Sequence, residues 1–206
     1  RFYNPTDITI VGTNLYVADQ GNNKIRKIEI ATGEVTTLAG TASTESGYTD
    51  GTGTDARFNF PSGITSDGTN LYVSDTNNHK IRKIEIATGE VTTLAGTAST
   101  ESGITDGTDA DARFNFPSGI TTDNTSLYVV DQSNQKIRKI VISSGEVTTF
   151  AGTAYTESGY TDDNGTDARF YNPTDITIVG TNLYVTDQSN HKIRKIVIAT
   201  GEVTTF

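Results

Sequence analysis

The chain has 206 residues, with 16 Lys and Arg against 25 Asp and Glu and a formal net charge of −9. That acidity argues against wrapping a phosphate backbone, which rests on clustered positive charge, and no apolar run approaches the roughly 18 residues of a membrane-spanning helix. Cysteine, methionine and tryptophan are absent, so disulfides and thiolate metal sites are excluded and the sequence assigns no compartment.

In chain order, Asp7 to Val11 reads DITIV, Asn14 to Asp19 reads NLYVAD, Ile25 to Ile30 reads IRKIEI and Glu34 to Gly40 reads EVTTLAG. All four runs are short and rich in Ile, Val, Tyr and Thr, which suit a pleated, half-buried surface, so they are predicted strands. Gly12-Thr13, Gln20 to Asn23 and Ala31 to Gly33 lie between them, and each supplies the turn chemistry of a hairpin. The result is an antiparallel four-strand meander. No sustained 3.6-residue apolar period occurs, so helix is expected to be negligible.

The same unit then returns. Arg1-Phe2, Arg57-Phe58, Arg113-Phe114 and Arg169-Phe170 stand 56 residues apart, which defines units 1–56, 57–112, 113–168 and 169–206 within one repeat domain. The 18-residue stretch after Leu38, Leu94 and Phe150 links one unit to the next; the chain ends before a fourth such link, and its opening Arg1 reads as a processed or trimmed start. Ile28 and Ile30 point to one face of the third strand and Ile25 to the other, so each sheet wants cover on both sides. Such sheets stack around an axis, and the expected fold is an all-β propeller of four-stranded antiparallel blades, four per chain.

The run ARFNFPSGITSDGTNLYVSDTNNHKIRKI, Ala56 to Ile84, resembles the NHL repeat, with its Pro-x-Gly-Ile first strand, Leu-Tyr-Val-x-Asp second strand, Asn-rich turn and Ile-Arg-x-Ile. The resemblance covers every copy and implies a blade whose first strand is innermost. It also implies that the tail from Thr44 to Ala56 crosses from one blade's outer edge to the next blade's centre. Gly63 and Gly119 keep the family's glycine, whereas Asp7 and Asp175 replace it. These two carboxylates either face the central tunnel or cap a local turn.

Related propellers are implied to hold a channel metal and to use histidines for acid/base work. Here the two histidines, His79 and His191, occupy the Asn-rich turn two repeats apart and are read as loop variants. No catalytic residue, metal or cofactor is therefore expected. The acidic tails from Asp50, Asp106 and Asp162 miss the EF-hand pattern and read as polar linkers. In the recurring Lys-x-Arg-Lys cluster at Lys24, Arg26 and Lys27, strand alternation splits the charges between two faces, and Asp19 or Glu29 is the expected partner of Arg26. In the rival reading a loop-face ligand, whether protein, glycan or RNA, would meet Tyr48, Ile104 and Tyr160; in the first reading neither nucleic acid nor membrane is an expected partner.

An open arc of four blades would leave apolar faces at both ends. Small outer-strand residues suit the wider ring, so a second copy is expected to complete eight blades, with Ile25, Ile28, Ile30, Ile193, Ile196 and Ile198 as seam candidates. The near identity of the copies reads as a deliberate or recent origin, either an engineered or reconstructed scaffold or a piece of a larger repetitive protein. The expected role is a noncatalytic, self-assembling module. Ligand binding is its first rival, and a metal-dependent lyase-like propeller comes last.

Overall fold

A computed structural model describes all 206 residues. The first blade contains β1 (Pro5–Val11), β2 (Asn14–Asp19), β3 (Lys24–Glu29) and β4 (Val35–Ala39). Linker strand β5 (Gly51–Thr52) leads to β6 (Pro61–Ser66), β7 (Asn70–Asp75), β8 (Lys80–Glu85) and β9 (Glu90–Ala95) of the second. In the third, β10 (Gly107–Thr108) precedes β11 (Pro117–Thr122), β12 (Ser126–Asp131), β13 (Lys136–Val141) and β14 (Glu146–Ala151). The fourth has β15 (Asp163–Asn164), β16 (Pro173–Val179), β17 (Asn182–Asp187), β18 (Lys192–Val197) and β19 (Glu202–Thr205). Apart from strands, only three-residue 3-10 turns are regular.

The strands lie where the β-branched and aromatic runs place them, and each blade is an antiparallel meander. The innermost strands meet in the order β1, β6, β11, β16, which puts them around one axis. Side chains tie them there: the Thr6 hydroxyl donates to the Ser62 carbonyl at 2.8 Å, and the Ser118 hydroxyl to the Thr174 carbonyl at 2.8 Å.

One element exceeds the sequence reading. The linkers do cross between blades, but on the way β5, β10 and β15 pair with the outermost strands β9, β14 and β19, so the second to fourth blades have five strands. Blade 1 has four, and β4 begins at Val35 where its counterparts begin at Glu90, Glu146 and Glu202. The Gly-Thr pair of β5 carries too little apolar patterning to read as a strand; its partner's free edge recruits it.

The core lies between blades. In the first seam Tyr16, Ala18, Ile25 and Ala39 of blade 1 pack against Phe58, Ile64, Leu71, Val73, Ile84 and Val91 of blade 2. The second and third seams repeat this arrangement at equivalent positions. Each blade thus shows its follower a face of Tyr, small residues and Ile, and its predecessor a face of Phe, Ile, Leu and Val.

Candidate functional site

At the two ends of the arc these faces are open. On blade 1, Ile8 is 53% exposed, against 3%, 4% and 4% for Ile64, Ile120 and Ile176. Phe2, Ile8, Val17 and Ile28 line an apolar concavity there, built from the counterparts of residues sealed inside every internal seam. On blade 4, Ile193 is 41% exposed, whereas Ile25, Ile81 and Ile137 are fully buried. The first face is the kind a following blade presents and the second the kind a preceding blade presents, so the two are complementary.

Only half of the seam candidates lie on these faces. Ile28, Ile30 and Ile193 do, but Ile25 and Ile196 are fully buried in internal clusters and Ile198 packs against the third seam. The cause is the two-residue alternation along each third strand: Ile25 faces the following blade and Ile28 the preceding one. Only opposite faces at opposite ends of the arc remain uncovered.

A polar tie, missed in the sequence reading, accompanies each apolar seam. Asn23, His79, Gln135 and His191 all close a 3-10 turn in the left-handed region, and Asn4, Phe60, Phe116 and Asn172 are left-handed too, at the entry to each innermost strand. Across the first seam the Phe60 N–H donates to Asn23 Oδ1 at 2.8 Å; across the second the Phe116 N–H donates to His79 Nδ1 at 3.0 Å; across the third the Asn172 N–H donates to Gln135 Oε1. His79 is thus no mere loop variant: it accepts a hydrogen bond through neutral Nδ1. Burial, and then the Lys80 charge, hold its imidazole below the ordinary range. The clue in the sequence is that Asn, His and Gln share a side-chain acceptor.

The axial end of the arc is polar. Thr6, Asp7, Ser62, Gly63, Ser118, Gly119, Thr174 and Asp175 line a common cavity, so both aspartates face the channel. Each also ties backbone. Asp7 accepts the Ile8 N–H at 2.7 Å and the Ile64 N–H of the next blade at 2.8 Å, and Asp175 accepts the Ile176 N–H at 2.8 Å. Burial pushes the Asp7 carboxyl above its ordinary range, the two N–H groups pull it back, and Asp175 adds repulsion. Gly119 stands where a Cβ would lie 2.6 Å from the Asp175 Cα, so two blades need glycine for close approach at the axis.

The basic cluster divides as its alternation requires. Arg82, Arg138 and Arg194 are fully buried, pairing at 2.8, 2.8 and 2.9 Å with Asp75, Asp131 and Asp187 of their own blades. Their second partners, missed in the sequence reading, are the linker acids Asp50, Asp106 and Asp162, each at 2.6 Å. The acidic tails are therefore clamps. Tyr48, Ile104 and Tyr160 are exposed on three successive linkers, with the ammonium groups of Lys80 and Lys192 5.4 and 5.9 Å from the rings of Tyr48 and Tyr160. They stand one per seam and converge on no common site.

The NHL repeat family model matches residues 58–84. Protein SUPPRESSOR OF QUENCHING 1, chloroplastic, of Arabidopsis thaliana is 35% identical over 157 residues, 70% of this chain and 14% of that protein. NHL repeat-containing protein 2 of Bos taurus is 33% identical over 145 residues, 66% of this chain and 20% of that protein. A Bacteroides thetaiotaomicron protein of unknown function, solved by structural genomics, superposes with a TM-score of 0.73 at 26% identity, covering 93% of this chain and 46% of its own. The chain thus spans a fifth or less of these two curated relatives and under half of the solved structure. With the matched motif standing at the same place in all four blades, the chain belongs to the NHL-repeat β-propellers.

Proposed function

We propose that this chain is a noncatalytic propeller module whose activity is to close, with a second copy, into an eight-blade ring around a polar channel. The observation that carries the reading is the pair of uncovered faces. They are complementary by the same residue positions that seal the three internal seams, and soluble proteins avoid leaving such patches in water. Eight blades need only roughly 45° between neighbours, which suits the small outer strands Val35–Ala39 and their counterparts. Two identical contacts, blade 4 of each copy against blade 1 of the other, close the assembly without a free end.

Near identity of the copies supports an assembling scaffold over a site of chemistry, since little room is left for unlike reactive groups on different blades. Light scattering tests the reading: about 44 kDa is expected, twice the 22.0 kDa chain. Ile193→Asp, which places a charge on one open face, is expected to return the mass to one chain while the strand signal persists. A wild-type chain that stays at 22.0 kDa at tens of micromolar sinks it.

A further inference from the structure

At one end of the propeller the loops that enter the innermost strands carry no charge. Each is tied to the 3-10 turn after its blade's second strand: the Asn77 N–H donates to the Asn59 carbonyl and the Ser133 N–H to the Asn115 carbonyl, both at 3.1 Å. Asn59–Ser62 and Thr76–Asn78, Asn115–Ser118 and Gln132–Asn134, and their counterparts on blades 1 and 4 contain no Asp, Glu, Lys or Arg, in a chain where those residues make up 20%. Aromatic rings, amides and hydroxyls stand there instead. Asp75 and Asp131, which precede the turns, are fully buried, and the position after the entry loop is Gly63 or Gly119 on the two middle blades.

Phe60 and Phe116 sit in these loops in the left-handed region, at φ 55° and 52°, where blades 1 and 4 have Asn4 and Asn172. Asn tolerates that conformation, whereas a bulky side chain is strained in it. Burial does not compensate the strain, because the two residues are 45% and 41% exposed although each of their blades has a neighbour on both sides. Nor does the seam tie require a ring, since the backbone N–H that makes it is supplied equally by Asn172. A hydroxyl bridge joins the two loops. Thr76 Oγ1 donates to the Pro117 carbonyl at 2.7 Å, so the proton in its 2.6 Å contact with Ser62 comes from Ser62, whose Oγ keeps free lone pairs. Gln132 Nε2 donates to Asn172 Oδ1 at 2.8 Å, which leaves Gln132 Oε1 as an acceptor.

We propose that Phe60 and Phe116 form a stacking platform for a neutral oligosaccharide at the mouth of the channel, whose cavity Ser62 and Ser118 line. A pyranose ring offers apolar C–H groups on one face, which suit the negative face of an aromatic ring. The hydroxyls at its edge suit Ser62 Oγ and Gln132 Oε1. Uncharged loops select an uncharged occupant: a nucleic acid finds no cation there, and a charged peptide finds no complementary partner. Backbone strain that packing does not use is expected where a side chain meets a ligand. The platform belongs to the two middle blades, so it does not depend on ring closure.

The probes are cellohexaose, maltohexaose and mannohexaose, with hexagalacturonate as a charged counterpart, titrated into the full chain with amide resonances followed by NMR. Saturable binding of at least one neutral probe is expected by about 10 mM, with shifts concentrated at Phe60, Ser62 and Phe116, and no binding of hexagalacturonate. Phe60→Asn installs the residue that blades 1 and 4 already carry, so the fold is expected to keep or raise its urea midpoint while binding weakens about tenfold. Ile193→Asp, whatever its mass, is expected to bind as the parent does, so that failure of ring closure and failure of this platform are read separately. No saturation by any neutral probe, shifts centred away from the two middle blades, equal binding of hexagalacturonate, or undiminished binding by a chain with both Phe60→Asn and Phe116→Asn would overturn the proposal.

Discussion

At the scale of single residues, the buried arginine is the fold's most consequential side chain. Arg138 has no exposure and bridges three segments: it holds Asp131 within its blade, Asp106 on the linker, and the carbonyls of Arg113 and Thr105. Its charge is also 5.2 Å from the Phe114 ring, at a distance where the aromatic face attracts a cation. Removing one partner of a buried pair leaves the other charge without compensation. Arg138→Ala is therefore expected to cost about 3–5 kcal/mol in urea unfolding. Arg26→Ala is expected to cost about 1–3 kcal/mol less, because the charge-assisted linker bonds are not made on blade 1. Equal losses at the two positions would show that the linker clamp adds nothing. Half of this tie is readable from sequence: Val17 stands opposite Arg26 across neighbouring strands, so an Asp two residues on is in reach. The other half is not, because Arg138 and Asp106 lie 32 positions apart and meet only when the linker has folded onto the edge.

For the secondary-structure elements, the linker's fifth strand changes what each outer edge must withstand. β9, β14 and β19 are paired on both sides, whereas β4 is paired only with β3. An edge strand opens more readily because one row of its backbone groups already faces water. Amide exchange is therefore expected to be faster at Val35 than at Val91 and Val147, its equivalents in blades with five strands; uniform protection would contradict the pairing. The four meander strands were legible because Ile, Val, Tyr and Thr alternate between tight turns, and blade stacking followed from apolar residues on both faces. The fifth strand was not, since Gly51-Thr52 has no pattern of its own and forms by pairing with a neighbour already in place. The seam tie escaped for a related reason. Asn23, His79 and Gln135 look like unrelated loop residues until both αL turns are built and one side-chain acceptor is found facing the next blade's N–H.

For the whole molecule, the same tie bears on acid stability at an internal seam and on closure at the open ones. His79 shows the principle inside the chain: neutral Nδ1 accepts the Phe116 N–H, and its proton affinity is lowered first by burial and then by Lys80. A group whose folded pKa lies below its unfolded value of 6.5 contributes stability that is complete above that value and is lost as pH falls through the folded pKa. His191 holds the equivalent place on the open face of blade 4, and Asn4, the counterpart of Phe116, holds it on the open face of blade 1. In a two-chain ring, His191 would accept the Asn4 N–H of the other copy at both closing seams. The acceptor there is an unprotonated ring nitrogen. Gln135 performs the same task in an internal seam, so His191→Gln is expected to keep the two-chain mass at a fixed low concentration, whereas His191→Ala, which offers no acceptor, is expected to move it toward one chain. His79→Gln, which alters only an internal seam, is expected to flatten the acid loss of thermal stability that follows from the lowered His79 proton affinity while leaving the mass unchanged. If His191→Ala keeps the two-chain mass as the parent does, the closing seams are not built like the internal ones.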